Sequence, residues 1–143
     1  MTSHTTIHAT CVAMDDRAVL LRGQPGVGKS DLALCLIESG GILVSDDQVV
    51  ITRKREQLIA SPPDKLKGLL EVRGVGICCY PFMARCELFA VVDLEQGCLP
   101  ERLPDLEAQK QEILGVGIAG FLLDPFQASA PAKVRAMLKL SDL

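Results

Sequence analysis

The most informative part of the sequence is a glycine-rich octapeptide, Gly23-Gln24-Pro25-Gly26-Val27-Gly28-Lys29-Ser30. Its spacing, G-x-x-x-x-G-K-S, is that of a phosphate-binding P-loop. The apolar segment 18–22 before it predicts a strand, and segment 31–38 after it predicts a helix that ends at Gly40-Gly41. Because motif and context agree, an accidental glycine-rich turn is the weaker interpretation.

The P-loop residues have distinct expected tasks. The glycines permit backbone conformations that turn successive N–H groups toward an anion, and the start of the helix adds the positive end of its dipole. Lys29 would supply a point charge to the outer phosphates, and the Ser30 hydroxyl would hold Mg²⁺. The loop therefore predicts binding of nucleotide phosphates.

The remaining pattern predicts an α/β fold in one domain over residues 1–143. A helix is expected after Ser129, with Pro131 in its first turn and an apolar face of Val134, Met137 and Leu138. Residues 112–118 and 120–123 fit either two strands or one bent strand. The other predicted strands are 7–13, which precedes a turn at Asp15-Asp16, and 42–44, 48–54, 57–60, 69–72 and 87–94, of which 48–54 and 57–60 form a hairpin.

Composition excludes several classes of protein. The net charge of −3 disfavours binding to nucleic acid, and no apolar run is long enough to span a membrane. The first residues lack the pattern of a signal peptide. The six cysteines contain no C-x-x-C pair, so we expect reduced core residues in a cytoplasmic protein and no zinc site.

Two adjacent aspartates, Asp46 and Asp47, follow the predicted strand 42–44. An aspartate at the end of a strand near a P-loop commonly helps to hold Mg²⁺. Successive side chains on a strand point to opposite faces, so we expect the two carboxylates to have different roles. One would serve the metal and the other would face the incoming nucleophile. Two solvated turn residues are the alternative, which the P-loop upstream disfavours.

A third motif makes the pattern specific. Residues 69–77 read Leu-Leu-Glu-Val-Arg-Gly-Val-Gly-Ile, and together with the P-loop and Asp46-Asp47 they resemble the HPr kinase/phosphorylase family over about residues 7–77. Typical members have Leu-Glu-Ile-Arg-Gly-Leu-Gly-Ile at this point. His8, fifteen residues before Gly23, is similar in position to a family active-site histidine. A structural role is the alternative for His8, and a surface ion pair is the alternative for Glu71 and Arg73.

The resemblance implies a P-loop kinase domain similar to the HPr kinase C-terminal domain and to phosphoenolpyruvate carboxykinase, with a mixed sheet around the P-loop helix. It implies ATP and Mg²⁺ as cofactors, HPr as partner and a homo-oligomer, hexameric in the family. It implies Asp46 as catalytic base, with His8, Lys29 and Arg73 also catalytic. The implied metal ligands are Ser30, Asp47 and Glu71, and the implied nucleotide-binding residues are those of the octapeptide, Gly23, Gln24, Pro25, Gly26, Val27, Gly28, Lys29 and Ser30.

The sequence departs from typical members in two respects. Those members have an additional N-terminal domain, whereas this sequence begins just before His8 and resembles short versions known in alphaproteobacteria. The family's later loop, Pro-Val-x-Pro-Gly-Arg-Asn, supplies an arginine that assists transfer and has no clear copy here. Arg135 or Lys133 lies nearest in order and is the expected substitute.

We therefore predict an ATP- and Mg²⁺-dependent serine kinase acting on HPr in the cytoplasm. A bifunctional kinase and phosphorylase, which also removes the phosphate by phosphorolysis, is one alternative. A small-molecule kinase and a non-catalytic nucleotide-binding regulator are the others, and in the regulator Asp46 would be dispensable.

Overall fold

The strand that leads into the P-loop lies at the centre of a mixed sheet. The computed structural model describes residues 3–140. No helix within that range is both long and apolar enough to cross a membrane. The helices are α1 (Lys29–Glu38), α2 (Leu106–Gln109) and α3 (Ala130–Met137), with a 3-10 turn at Asp64–Leu66. The strands are β1 (His4–His8), β2 (Thr10–Met14), β3 (Arg17–Arg22), β4 (Ile42–Ser45), β5 (Gln48–Lys54), β6 (Gln57–Ser61), β7 (Leu69–Val72), β8 (Gly76–Cys79), β9 (Cys86–Leu94), β10 (Gln111–Ile113) and β11 (Val116–Leu123).

Strand direction brings four loops to one edge of the sheet. The order is β1-β5-β6-β9-β3-β2-β4, and β11 also pairs with β9 and carries β10. β9 and β11 run parallel to β3, and β4 has the same direction because β2 is antiparallel to both β3 and β4. Ligands of α/β proteins bind at the carboxyl ends of such strands. The loops after β3, β4, β9 and β11 therefore share the edge that holds the P-loop.

The central strands are buried on both faces. Leu21 of β3 faces a core cluster that includes Leu32 and Leu36 of α1 and Val134 of α3. Leu20, its neighbour in the strand, faces a second cluster on the opposite side. Successive strand residues alternate between faces, so β3 contributes to both clusters. Full burial of each such leucine stabilises the fold by roughly 1.5–3 kcal/mol, which holds the P-loop strand in place.

Most predicted elements are confirmed, and the exceptions are a divided strand, two elements that were not predicted and a shifted strand boundary. Segment 7–13 is not one strand, because it divides at Ala9 into β1, which pairs with β5, and β2, which pairs with β3 and β4. Strand β8 and the short helix α2 were not predicted. The late region forms two strands, but the predicted boundary between 118 and 120 is wrong, because the strands separate at Leu114 and Gly115, whose φ angles of 51° and 81° suit a tight hairpin turn. The turn was not predicted from the sequence, because leucine is not a typical turn residue.

The six cysteines are free thiols in different surroundings. Cys11 and Cys86 lie in the core. Burial raises the pKa of the Cys11 thiol far above its usual range. Burial, aided by the Asp16 and Glu87 carboxylates, raises the pKa of Cys86 to about 11. Cys35 and Cys79 are exposed and Cys78 and Cys98 are half-buried, so the expectation that the cysteines are core residues is right only for Cys11 and Cys86.

Candidate active site

The P-loop connects β3 to α1 in a conformation that requires glycine. Gly26 and Gly28 have φ angles of 82° and 107°, which residues with a Cβ rarely adopt. Lys29 Nζ donates hydrogen bonds to the carbonyl oxygens of Gly23 (2.8 Å) and Gln24 (3.1 Å), so the ammonium lies over the loop. Gly28 provides no side-chain cap for α1. The first N–H groups of the helix are therefore available to an anion.

A cleft of about 210 Å³ opens at the P-loop. Of the predicted site residues, Gly23, Gln24 and Val27 do not line it. Thr10 and Asp31 line the cleft and were not predicted. The predicted residues that it brings together are His8, Pro25, Gly26, Gly28, Lys29, Ser30, Asp46, Asp47, Glu71 and Arg73.

Asp46 belongs to a buried corner, which we define as Thr10, Ser30 and Asp46. The residue Asp46 is only 8% exposed. Its Oδ1 accepts hydrogen bonds from Thr10 Oγ1 (2.8 Å) and Ser30 Oγ (3.1 Å), and its Oδ2 accepts one from the Glu71 backbone N–H (3.1 Å). The resemblance had placed Asp47 beside Ser30, whereas the structure pairs Ser30 with Asp46. Because the Ser30 hydroxyl donates to Asp46, its lone pairs are left for another ligand.

Asp47 belongs to an exposed rim, which we define as His8 and Asp47. The ring nitrogen Nε2 of His8 lies 2.7 Å from Asp47 Oδ1, and the two side chains are 60% and 64% exposed. The carboxylate therefore faces solvent at the open side of the cleft. Adjacent residues have come to occupy very different surroundings, as the sequence predicted.

The backbone explains how the corner and the rim form side by side. Asp47 has a φ of 70°, and the Gln48 N–H donates to the Asp46 carbonyl (2.8 Å), an i to i+2 bond characteristic of a γ-turn. Positive φ in a residue other than glycine is strained and occurs often at functional sites. The Ala9 N–H donates to the Asp47 carbonyl (3.2 Å). The break between β1 and β2 thus places His8 and Thr10 against this turn.

The third motif forms a small hairpin, β7–β8, beside the P-loop. The exposed residue Glu71 lies in β7, and Arg73 lies in the turn after it. The Arg73 guanidinium approaches the P-loop, since Nη2 is 3.9 Å from the position that a Cβ on Gly26 would occupy. Glu71 and Arg73 both line the cleft.

The two residues expected to replace the missing family arginine lie elsewhere. Arg135 Nη2 is 3.5 Å from the carbonyl oxygen of Ser39, at the C-terminal end of α1, which is the end opposite the P-loop. Lys133 donates to Gln127 Oε1 (2.8 Å). Neither residue lines the cleft at the P-loop, so the expected substitution is wrong for this arrangement. Arg73 is the arginine that the cleft contains.

The sequence of the chain is similar to that of known proteins. The HPr Serine kinase C-terminal domain family matches residues 1–81. The chain belongs to this family. A curated HPr kinase/phosphorylase from Caldicellulosiruptor bescii is 39% identical over 126 residues, which cover 79% of this chain and 40% of that protein. Another from Bacillus mycoides is 46% identical over 74 residues, covering 51% of this chain and 24% of that protein.

A solved structure extends the likeness over nearly the whole chain. The Hpr(Ser) kinase/phosphatase from Coxiella burnetii superposes with a TM-score of 0.79 at 27% identity, and 94% of each chain is covered. The predicted mixed α/β fold of the HPr kinase type is therefore confirmed. This HPr kinase family domain spans less than half the length of the two curated relatives named above.

Proposed function

We propose that this chain is the phosphoryl-transfer domain of a protein serine kinase that moves the γ-phosphate of ATP to HPr with the help of Mg²⁺. The observation that carries the proposal is the separation of two adjacent carboxylates at one P-loop. Asp46 pairs with Ser30 in the buried corner, and Asp47 pairs with His8 at the exposed rim. Phosphoryl transfer needs such a division, because one carboxylate must bind the metal and another must accept the proton of the acceptor hydroxyl.

The residues of the cleft fit a magnesium nucleotide. Its carboxylates, from Asp31, Asp46, Asp47 and Glu71, outnumber its cations, Lys29 and Arg73. Within residues 3–140, His, Cys, Asp and Glu side chains do not gather in threes as an all-protein metal cage would require. Mg²⁺ commonly uses one or two carboxylates together with phosphate oxygens and water. When bound, it would neutralise charge on the phosphates.

The contacts support an exchange of the roles that the resemblance implied for the two aspartates. Both oxygens of Asp46 already accept protein hydrogen bonds, and Ser30 is its partner, so we assign Asp46 and Ser30 to the metal. Glu71 lies beside them and adds a carboxylate. Among the described residues, Oδ1 is the only oxygen of the Asp47 carboxylate that has a protein hydrogen-bond partner. The Asp47 side chain faces solvent. We therefore assign Asp47 as the base that accepts the serine proton, with His8 orienting its carboxylate.

Lys29 and Arg73 complete the proposed mechanism as two positive groups beside the loop. Lys29 lies over the carbonyls of Gly23 and Gln24, and Arg73 approaches Gly26. Electrostatic stabilisation by fixed charges is usually the largest contribution to catalysis of this kind. We place this activity in the cytoplasm, since free thiols are typical of that compartment. The assembly as a homo-oligomer stays a prediction.

The test is transfer of label from γ-labelled ATP to purified HPr in the presence of Mg²⁺. We expect serine-linked label with the wild-type chain and a loss of at least about 100-fold with Lys29→Ala, because the loop loses its fixed positive charge. Lys54→Ala, at an exposed lysine that ends β5, is the matched control and should label HPr normally. Nucleotide binding without any labelling would favour the regulator over the kinase.

A second assay addresses the reverse reaction. HPr that carries a labelled phosphoserine is incubated with the chain and inorganic phosphate. Phosphorolysis would move the phosphoryl group from the serine to the added phosphate, which releases free serine hydroxyl and labelled pyrophosphate. Labelled pyrophosphate would establish the bifunctional alternative, and its absence together with forward transfer would limit the chain to kinase activity.

A further inference from the structure

The loop after β11 brings an exposed aromatic ring to the P-loop. Phe126 Cζ lies 3.6 Å from the position that a Cβ on Gly28 would occupy, and the ring of Pro125 lies 3.7 Å from it. Phe126 is 56% exposed, the largest exposed fraction of the chain's aromatic side chains. Tyr80, Phe89 and Phe121 pack on the core instead. Exposure of a phenyl ring to solvent is unfavourable, so an exposed ring beside the P-loop suggests that a ligand covers it.

The backbone that carries this aromatic ring is held by hydrogen bonds within the loops around it. Asp124 Oδ1 accepts a hydrogen bond from the Phe126 N–H (2.9 Å), and Asp124 Oδ2 accepts one from the Gly97 N–H (3.0 Å). The Glu95 N–H also donates to the Leu123 carbonyl (3.0 Å). These bonds join the loops after β9 and β11. The backbone of Phe126 is therefore fixed relative to β9, which pairs with β3, and to β11, which pairs with β9.

The sheet order separates this ring from the acceptor side of the site. Asp46 and Asp47 follow β4, which lies on one side of β3 beyond β2, whereas Phe126 follows β11, which lies on the other side beyond β9. Phe126 is not part of the cleft that contains His8 and Asp47. If phosphates occupied the P-loop with the terminal phosphate toward Asp47, the rest of a nucleotide would extend away from β4, which is the side of β3 on which Phe126 lies.

We propose that Phe126, supported by Pro125, is the platform on which the base of the bound nucleotide stacks. The proposal rests on the proposed function, because it requires a nucleotide in the P-loop. Every base has an aromatic face, so stacking of this kind tolerates different bases. The platform contributes affinity for the base and leaves phosphate binding to the loop.

The experiment compares two ligands that share the phosphates and differ in the base. Dissociation constants for ATP and for inorganic tripolyphosphate, each with Mg²⁺, are measured by calorimetry for the wild type, Phe126→Ala and Phe126→Trp. For Phe126→Ala we expect ATP to bind about 10-fold more weakly, as for loss of a base–aromatic stack. Tripolyphosphate should bind within about 2-fold of wild type, since it has no base to stack. Phe82→Ala is the matched control, because Phe82 is also exposed but contacts Gly68.

The tryptophan variant gives a direct signal. The chain contains no Trp, so Phe126→Trp introduces a single fluorophore at the platform. We expect Phe126→Trp to keep wild-type affinity for ATP. We also expect its emission to be quenched by ATP and unchanged by tripolyphosphate, because only ATP places a base on the indole.

Several outcomes would overturn the platform. Equal weakening of both ligands by Phe126→Ala would mean that Phe126 only supports the P-loop, and no weakening of either would mean that the base lies elsewhere. Failure of the kinase proposal gives a different result. The wild-type chain could fail to label HPr while Phe126→Ala still weakens ATP binding. That pair of results would refute the kinase proposal and support the platform.

Discussion

The buried corner and the exposed rim are adjacent in the chain and opposite in character. In the corner, Asp46 is 8% exposed and accepts hydrogen bonds from Thr10, Ser30 and the Glu71 backbone. At the rim, Asp47 is 64% exposed and contacts His8. A hydrogen bond to a charged group contributes about 1.5–3 kcal/mol, whereas an exposed ion pair contributes about 0–1 kcal/mol. The corner is therefore built to hold its geometry, and the rim is open to solvent.

The same substitution at both aspartates provides the sharpest test, and the largest effect is expected at the corner. Asp46→Asn replaces an acceptor oxygen with an NH₂ donor among groups that already donate. We expect a loss of about 2–3 kcal/mol in the free energy of unfolding, measured with urea. Because we propose that Asp46 holds the metal, we expect kcat/KM for HPr labelling to fall about 10³-fold.

Asp15→Asn is the control for this variant. Asp15 is an exposed carboxylate in the β2–β3 turn, and its φ of 51° is one that Asn also adopts. It should leave both measurements unchanged. Wild-type stability and Mg²⁺-dependent ATP binding in Asp46→Asn would contradict the role assigned to the corner.

Asp47→Asn is expected to separate chemistry from binding. Asn tolerates the positive φ of this position, and the side chain is exposed, so the free energy of unfolding should change by less than about 0.5 kcal/mol. The variant should bind Mg²⁺ and ATP within about 3-fold of wild type, yet its kcat should fall about 10²-fold, because it cannot accept the serine proton. Single-turnover labelling and calorimetry measure the two effects. An unchanged kcat would exclude Asp47 as the base.

Thr10→Val tests the corner with a smaller change. Valine has a similar shape and removes only the hydroxyl that donates to Asp46. We expect a loss of about 1–1.5 kcal/mol in the free energy of unfolding and a reduction of kcat of only a few fold. Thr5→Val, in β1, is a control of the same type at a half-buried site. Equal effects of the two variants would show that the Thr10 hydroxyl is not specific to the corner.

The last prediction concerns the reactivity of the thiols and involves no change in activity. It extends the contrast of buried and exposed groups to the cysteines. At pH 8 we expect maleimide to modify Cys35 and Cys79 quickly and to spare Cys11 and Cys86, as peptide mapping would show. Burial raises the pKa of Cys86 to about 11, so its reactive thiolate is scarce at this pH and increases only as the pH rises toward that value. Modification of Cys11 as fast as Cys35 would contradict the packing of the second core cluster.

Much of the site followed from short-range patterns. The P-loop and its flanking strand and helix are encoded within residues 18–38, where spacing alone selects the local conformation. The β5–β6 hairpin and β7 were predictable for the same reason. Thr10 gave no comparable signal, because its importance comes from Asp46, which is 36 residues away in the chain.

The amino-acid pattern alone was enough to predict a P-loop between a buried strand and a helix, and different roles for the two consecutive aspartates nearby. The folded chain was needed to show that Ser30 pairs with Asp46 and His8 with Asp47, that Arg135 lies at the far end of α1, and that Phe126 reaches Gly28. These contacts depend on the strand order, the break at Ala9 and the strained turn at Asp47, which arise from pairings between distant segments. Local periodicity does not encode such pairings.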